Sequence, residues 1–273
     1  MECRDQKNKS EALGDGEAVN VRALPRVVLV TGASRGIGRA VAERLANEGW
    51  TVVLNATRPG PLEEAAESIR KNGGSVHVAA ADISDEAAVA GMFDSIRTRI
   101  GRLDAVVNNA GMQPLIDGRA PTIEELSPER WRRTIDVNLT GVFLVSREAL
   151  PLMKQQRWGR FVNMGSRAGR TTATNVAYGV TKAGLLGLSR MLAKEGGPYG
   201  ITSNYIAPGF VRTEMMTEFR DVAGMEQRTI ATTPLGRVGE TTDVTGVVSF
   251  LLSADAGYLN GAALDVNGGS FMA

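Results

Sequence analysis

The sequence predicts a three-layer α/β/α fold, a single parallel sheet doubly wound by helices. Three observations predict it. From Arg26 onward, short β-branched runs alternate with stretches of helical periodicity. Strands separated by such helices pair in parallel through right-handed crossovers. Thirty-two of the 273 residues are glycine, above the usual ~7%, which marks repeated tight turns and close backbone approaches. A glycine cluster, T-G-A-S-R-G-I-G from Thr31 to Gly38, falls at the first strand–helix junction.

The elements follow in order. Val27 to Thr31 is a buried-strand run stopped by Gly32, and Ile37, Val41 and Leu45 then recur on one helical face. Thr51 to Asn55 is a second strand, ended by the turn residues Pro59, Gly60 and Pro61. Glu63 to Asn72 reads as a helix closed by Gly73 and Gly74, and Val76 to Ala81 as a third strand. Val89, Met92, Phe93, Ile96 and Ile100 form another helical stripe before the strand Ala105 to Val107. Leu139 to Met153 is helical, Arg160 to Met164 a strand, and Tyr178 to Glu195 a long helix. Ser203 to Ile206 and Ala263 to Val266 supply two late strands. Thr213 to Gly239 lacks clean periodicity and carries Met215, Met216, Phe219 and Met225. Either a mobile lid over a pocket or an ordinary pair of surface helices has this pattern.

Composition excludes several functions. Lys plus Arg number 31 against 30 for Asp plus Glu, without the basic excess of a nucleic-acid binder. One cysteine, Cys3, and one histidine, His77, rule out an internal disulfide and a Cys/His zinc cage. No apolar run approaches a membrane span of about 20 residues, and the polar N-terminus has no signal-peptide core. The reading is a soluble, cytoplasmic protein with no metal, having a disordered tail over 1–22 and one Rossmann-type domain over 23–273. His77 is expected to be a partly buried structural residue, Cys3 to be inert, and Trp131 and Trp158 to pack against helices.

Glycines 32, 36 and 38 permit a tight turn, a close approach of backbone to a pyrophosphate, and helix–strand packing. The helix that follows offers free N–H groups to an anion. Farther along, Tyr178 and Lys182 stand one helical turn apart on one face. A free tyrosine titrates near ~10, and an ammonium beside it is expected to lower that value and favour proton exchange near neutrality. Ser166 follows the fifth strand at the sheet edge where open α/β folds bind ligands.

These motifs occur with N-N-A-G (Asn108 to Gly111), Asn138 in D-V-N-L-T-G, P-G-F-V-R-T (Pro208 to Thr213) and V-N-G-G (Val266 to Gly269). Together they resemble the short-chain dehydrogenase/reductase family over Arg26 to Ala273. The branch most resembled is the bacterial 3-oxoacyl-[acyl-carrier-protein] reductases, through T-G-A-S-R-G-I-G-R, A-P-G-F and V-N-G-G-S-F-M-A. The resemblance implies a catalytic set of Asn138, Ser166, Tyr178 and Lys182. Tyr178 is then the acid/base, Ser166 orients the substrate oxygen, Lys182 also holds the nicotinamide ribose, and Asn138 kinks its helix and holds a water.

The implied cofactor-binding residues are Gly32, Ser34, Arg35, Gly36, Ile37, Gly38, Thr57, Arg58, Asp82, Ile83, Asn109, Ala110, Gly111, Tyr178, Lys182, Pro208, Gly209, Val211 and Thr213. Asn108 either lines the cofactor or stabilises its strand. Ala56 takes the place where a carboxylate would select NAD, while Thr57, Arg58 and Arg35 can receive a 2′-phosphate. NADP(H) is therefore the preferred cofactor, with NAD(H) admitted. Pocket-wall candidates are Gln113, Arg167, Asn175, Val176, Phe210 and Met215.

The implied function is NADPH-dependent reduction of a ketone, either a 3-oxoacyl thioester or a related carbonyl, to a secondary alcohol. The alternatives are an oxidative alcohol dehydrogenase and, more remotely, a non-catalytic NADP(H) sensor or scaffold. Two details depart from the branch resembled: Ser166 and Tyr178 are twelve residues apart, one fewer than expected, and Gly165 stands where a serine or another small residue is common. The helix from Tyr178 is apolar on more than one face, and in the family resembled the matching helices pair between subunits, so the resemblance implies a homotetramer, or else a dimer.

Overall fold

A computed structural model describes residues 26–171 and 175–272. The tail expected over 1–22, with Cys3, lies outside the described residues.

Seven parallel strands form the sheet: β1 Val27–Thr31, β2 Thr51–Ala56, β3 Ser75–Ala80, β4 Ala105–Asn108, β5 Gly159–Met164, β6 Ile201–Pro208 and β7 Ala263–Val266. Their spatial order is β3-β2-β1-β4-β5-β6-β7. The chain steps outward from β1 to β3 and then crosses to β4 on the other side of β1. The switch point therefore lies between β1 and β4, and such a crevice opens at the carboxyl ends of the strands.

The strand pleat sorts the core into two layers. On one face Val28, Val30, Val52, Leu54 and Val107 meet three helices: α1 (Gly36–Asn47), α2 (Pro59–Lys71) and α8 (Thr241–Leu252). On the other, Leu29, Val53, Val106 and Phe161 meet α3 (Glu86–Arg99), α5 (Gly141–Gln156) and α6 (Val176–Gly196). Two further helices, α4 (Pro128–Ile135) and α7 (Val222–Thr232), lie outside these layers. Beneath the sheet, the Trp158 ring sits 4.6 Å from the Arg26 guanidinium and 4.4 Å from that of Arg160, a stacked cation–π arrangement.

Several expectations need correction. Helix α2 begins at Pro59, not Glu63, because a proline at the first helical position has a preset φ and no amide to satisfy. The helix expected from Leu139 begins at Gly141, preceded by a π-helical turn over Asp136–Thr140. His77 is exposed rather than partly buried. It lies on the edge strand β3, whose Val76 and Val78 take the core-facing positions. The irregular stretch Thr213 to Gly239 holds a 3₁₀ segment, Glu214–Glu218, and helix α7. Helix α6 is not covered on every side. It buries Leu185 and Leu192 but leaves Val180 and Met191 45% and 51% exposed, and Phe143 of α5 is likewise 47% exposed.

Candidate active site

The cleft forms where β1 and β4 diverge. Gly32 and Gly36 both adopt left-handed backbone, φ +65° and +57°, which only glycine does at little cost. Gly38 is required for packing. A Cβ there would lie 2.3 Å from the Gly32 carbonyl oxygen and 2.4 Å from Asn109 Nδ2. Two helices point uncapped N-termini at this cleft, α1 after Arg35 and α2 after Arg58. By contrast, side chains cap α3, α4, α6, α7 and α8. The free first-turn amides of α1, with no acidic residue among them, suit an anion, whereas Pro59 and Pro61 leave few such donors at the start of α2. Here the residues fit a dinucleotide carrying phosphate groups.

One cavity of about 370 Å³ gathers nearly every residue expected from sequence. Gly32, Ser34, Arg35, Gly36 and Ile37 line its floor, with Thr57, Arg58, Asp82 and Ile83 toward β2 and β3. Asn109, Ala110 and Gly111 follow β4, Pro208, Gly209, Val211 and Thr213 follow β6, and Ser166, Tyr178 and Lys182 complete the wall. Gly38 and Asn138 do not line the cavity but support it from behind. Sequence reasoning missed Arg133, Met164 and Glu214, which also line it. Arg133 was discoverable only through its partner: its guanidinium donates to Asp82 Oδ2 at 2.9 Å and to Ser84 Oγ at 2.7 Å. Burial raises the Asp82 carboxyl, but the bonds from Ser84 and Arg133 outweigh it and hold the group below its ordinary value.

Two expected cofactor contacts have other partners in this structure. Asn109 Nδ2 donates to the Thr31 and Gly32 carbonyls at 2.9 and 3.1 Å, bracing the glycine loop. Arg35 pairs with Glu218 at 2.8 Å, with both side chains about half exposed. Asn108 proves to be a strand residue: buried, it donates to Asn163 Oδ1 and Ser146 Oγ. Among the pocket-wall candidates, Met215 lines the cavity, whereas Asn175 is buried and caps α6 by accepting from the Tyr178 amide at 2.9 Å. Phe210 lines a separate, smaller cavity.

Asn138 is fully buried in the π-helical turn, a distortion that often accompanies functional sites. Its Oδ1 accepts from the Met112 amide at 2.8 Å, and its Nδ2 donates to the Met112 carbonyl at 2.9 Å and Thr181 Oγ1 at 3.2 Å. It thereby ties the segment after β4 to the helix of Tyr178 and Lys182. Lys182 is 3% exposed, and its ammonium donates to the Met164 carbonyl at 2.7 Å. It lies 5.5 Å from the Tyr178 ring centre. Ser166 Oγ accepts from the Ala168 amide at 3.0 Å, capping a 3₁₀ turn.

The expected lowering of the Tyr178 phenol is not what the structure shows. Burial raises it above 10, and the hydrogen bond with Ser166 only partly opposes that rise. The same burial lowers Lys182 from 10.5 to about 8, so the ammonium is itself costly here.

Fold and site together define a dinucleotide-binding α/β oxidoreductase with a Ser–Tyr–Lys cluster at the strand ends. A family profile described as Enoyl-(Acyl carrier protein) reductase matches residues 32–270. The 3-oxoacyl-[acyl-carrier-protein] reductase of Aquifex aeolicus is 38% identical over 255 residues, 93% of this chain and 100% of that protein. A structure of a 3-oxoacyl-[acyl-carrier protein] reductase from Brucella melitensis with bound NAD superposes with a TM-score of 0.84 at 35% identity, covering 91% of this chain and 92% of that one. Levodione reductase gives a TM-score of 0.84 at 35% identity over 89% of this chain and 96% of that one. The chain belongs to the short-chain dehydrogenase/reductase family, and it is an NAD(P)-dependent oxidoreductase acting at the alcohol/ketone level. Among the described residues, no helix is long and apolar enough to cross a membrane.

The buried lysine makes a stability prediction. Its folded value lies below the unfolded one, so the unfolded chain binds the proton more tightly. The resulting destabilisation is full below pH 8 and fades as pH rises from 8 to 10.5. Lys182→Met is therefore expected to gain about 3 kcal/mol of stability at pH 7, a gain that shrinks by pH 10. Urea unfolding at the two pH values reads it, and equal stabilities at pH 7 would contradict it.

Proposed function

We propose that the protein uses NADPH to reduce a ketone to a secondary alcohol, the substrate being a 3-oxoacyl thioester or a related carbonyl. The observation that carries this reading is that Ser166, Tyr178 and Lys182 share one cavity with the glycine loop and with Thr57 and Arg58. A dinucleotide seated on the loop supplies a hydride. The chain's own side chains do the rest. Ser166 orients the carbonyl oxygen by hydrogen bonding. Tyr178, kept protonated by burial, is positioned to give that oxygen its proton. Lys182 stabilises the phenolate left behind, and Asn138 holds the helix that carries both.

The NADPH preference rests on the end of β2. Ala56 lines the cavity where a carboxylate would repel a 2′-phosphate, and Arg58 stands exposed beside it at the start of α2. The relatives' named activity, together with the cluster's geometry, supports an acyl-thioester substrate. The exposed apolar residues Phe143, Val180 and Met191 support an assembly in which further copies cover them, a homotetramer or a dimer.

Three measurements test this reading. With acetoacetyl-CoA as a carrier-protein surrogate, NADPH oxidation is expected to be rapid in the wild type. It should fall about 1,000-fold in Tyr178→Phe, while the Kd for NADPH stays within about twofold; retained turnover would remove Tyr178 from the acid/base role. Arg58→Ala is expected to raise the KM for NADPH about tenfold and leave that for NADH unchanged, and equal changes with both would shift the phosphate contact elsewhere. Light scattering is expected to give the mass of four chains or of two. An active species at one chain's mass would reject the assembly.

A further inference from the structure

Strand β6 carries a tyrosine where the alternation of the sheet turns its side chain inward. Tyr205 is fully buried, and a buried phenol hydroxyl needs partners. It finds both on one residue of the site. The Ser166 amide donates to Tyr205 Oη at 3.0 Å, and Tyr205 Oη donates to the Ser166 carbonyl at 3.0 Å.

This double contact is possible because Ser166 is almost fully extended, φ −167° and ψ 155°. In that conformation a residue's own N–H and C=O point to the same side, within reach of a single hydroxyl. The contact also falls where the sheet ends. Strand β5 stops at Met164, and the Gly165 amide makes the last bond to β6, to the Ile206 carbonyl at 2.8 Å. Beyond it the Ser166 amide is met by a side chain instead of a strand.

The same ring explains a glycine that the sequence singled out. A Cβ on Gly165 would lie 1.8 Å from Tyr205 Cζ and 2.2 Å from its hydroxyl. The phenol ring occupies the space a side chain at 165 would need, so Gly165 and Tyr205 form one fitted pair. Ser166 is thereby held from both sides. Its backbone is clamped by Tyr205, and its Oγ accepts from the Ala168 amide at 3.0 Å in the cavity it shares with Tyr178.

We propose that Tyr205 is a positioning residue for the reaction: its phenol clamps the Ser166 backbone so that the serine hydroxyl stays beside Tyr178, with Gly165 as the seat of the ring. This rests on the role given to Ser166 under the proposed function. Arg170 and Asp265, paired at 2.7 Å, are the charged groups facing the phenol, and Tyr178 is a neutral titratable neighbour. Burial pushes the Tyr205 hydroxyl up to about 12, so it serves as a neutral donor and acceptor throughout the working range.

Tyr205→Phe keeps the ring and removes the clamp. It is expected to lower kcat about tenfold with the KM for NADPH unchanged, and to speed hydrogen exchange at the Ser166 amide while Gly169 stays protected. In a Ser166→Ala background the same change is expected to have no further effect on kcat. A merely structural contact would lower kcat in both backgrounds, and that result overturns the proposal. 4-Aminophenylalanine at 205 restores a donor toward the Ser166 carbonyl and is expected to recover most of the turnover. It is also the variant to measure if Tyr205→Phe does not fold, and no recovery overturns the proposal. A wild type that reduces no ketone would defeat the proposed function instead. In that event the exchange experiment still decides the clamp, and unchanged exchange at Ser166 rejects it.

Discussion

The site depends on one close approach, between the glycine loop and the end of β4. Gly38 packs so tightly on the Gly32 carbonyl that no Cβ fits between them. The Asn109 amide group then bonds the Thr31 and Gly32 carbonyls, while the Thr31 hydroxyl accepts the Asn109 and Ala110 N–H groups at 3.0 Å each. These bonds pin the start of α1 to the segment leaving β4. From there the constraint passes onward, because Gly111 sits against Asn138 and Lys182, and Asn138 grips Met112 on one side and Thr181 on the other. The glycine loop and the Tyr–Lys helix are thus joined through a few backbone groups and two asparagines.

Beneath this runs a buried polar ladder. Asn108 donates to Asn163, and Asn163 in turn donates to the hydroxyls of Ser189 on α6 and Ser203 on β6, both at 3.0 Å. Buried polar groups are tolerable only when satisfied, and once satisfied they specify one arrangement. The ladder links β4, β5, β6, α5 and α6 beneath the site, where apolar packing alone would tolerate small shifts. Tyr205 extends the same device to Ser166, beyond the last strand bond.

Much of this was legible in the sequence, and what was not has identifiable causes. Strands β1 and β7 were read to the residue, since β-branched runs end at glycine or polar stops. Helix α4, P-E-R-W-R-R-T-I, went unseen because it buries only Thr134 and so shows no apolar stripe. Helix α8 was missed for the opposite reason: T-T-D-V-T-G-V-V-S-F-L-L is β-branched enough to resemble a strand, and only its Glu240–Asp243 capping box marks a helix start. In the site, residues on short motifs were found, whereas Arg133 and Tyr205 act through partners about 50 and 39 positions away. No local pattern encodes such pairings. Gly165 was visible as an oddity, but its reason lies on a different strand.

The electrostatics of the pair invert the simplest expectation. Spacing alone places an ammonium one turn from a phenol and suggests a lowered tyrosine. The structure adds desolvation, which raises Tyr178 and brings Lys182 down to about 8. Both shifts favour the uncharged forms and move the two groups apart, the phenol upward and the ammonium downward. An anion held at the glycine loop would favour the ammonium, and the ammonium would in turn favour the phenolate. Proton affinity at Tyr178 is then set by the charge state of the whole cleft. A buried lysine without a carboxylate partner is costly to the fold, and among the described residues its ammonium donates to the Met164 carbonyl. That cost is what a group kept for chemistry rather than for stability would incur.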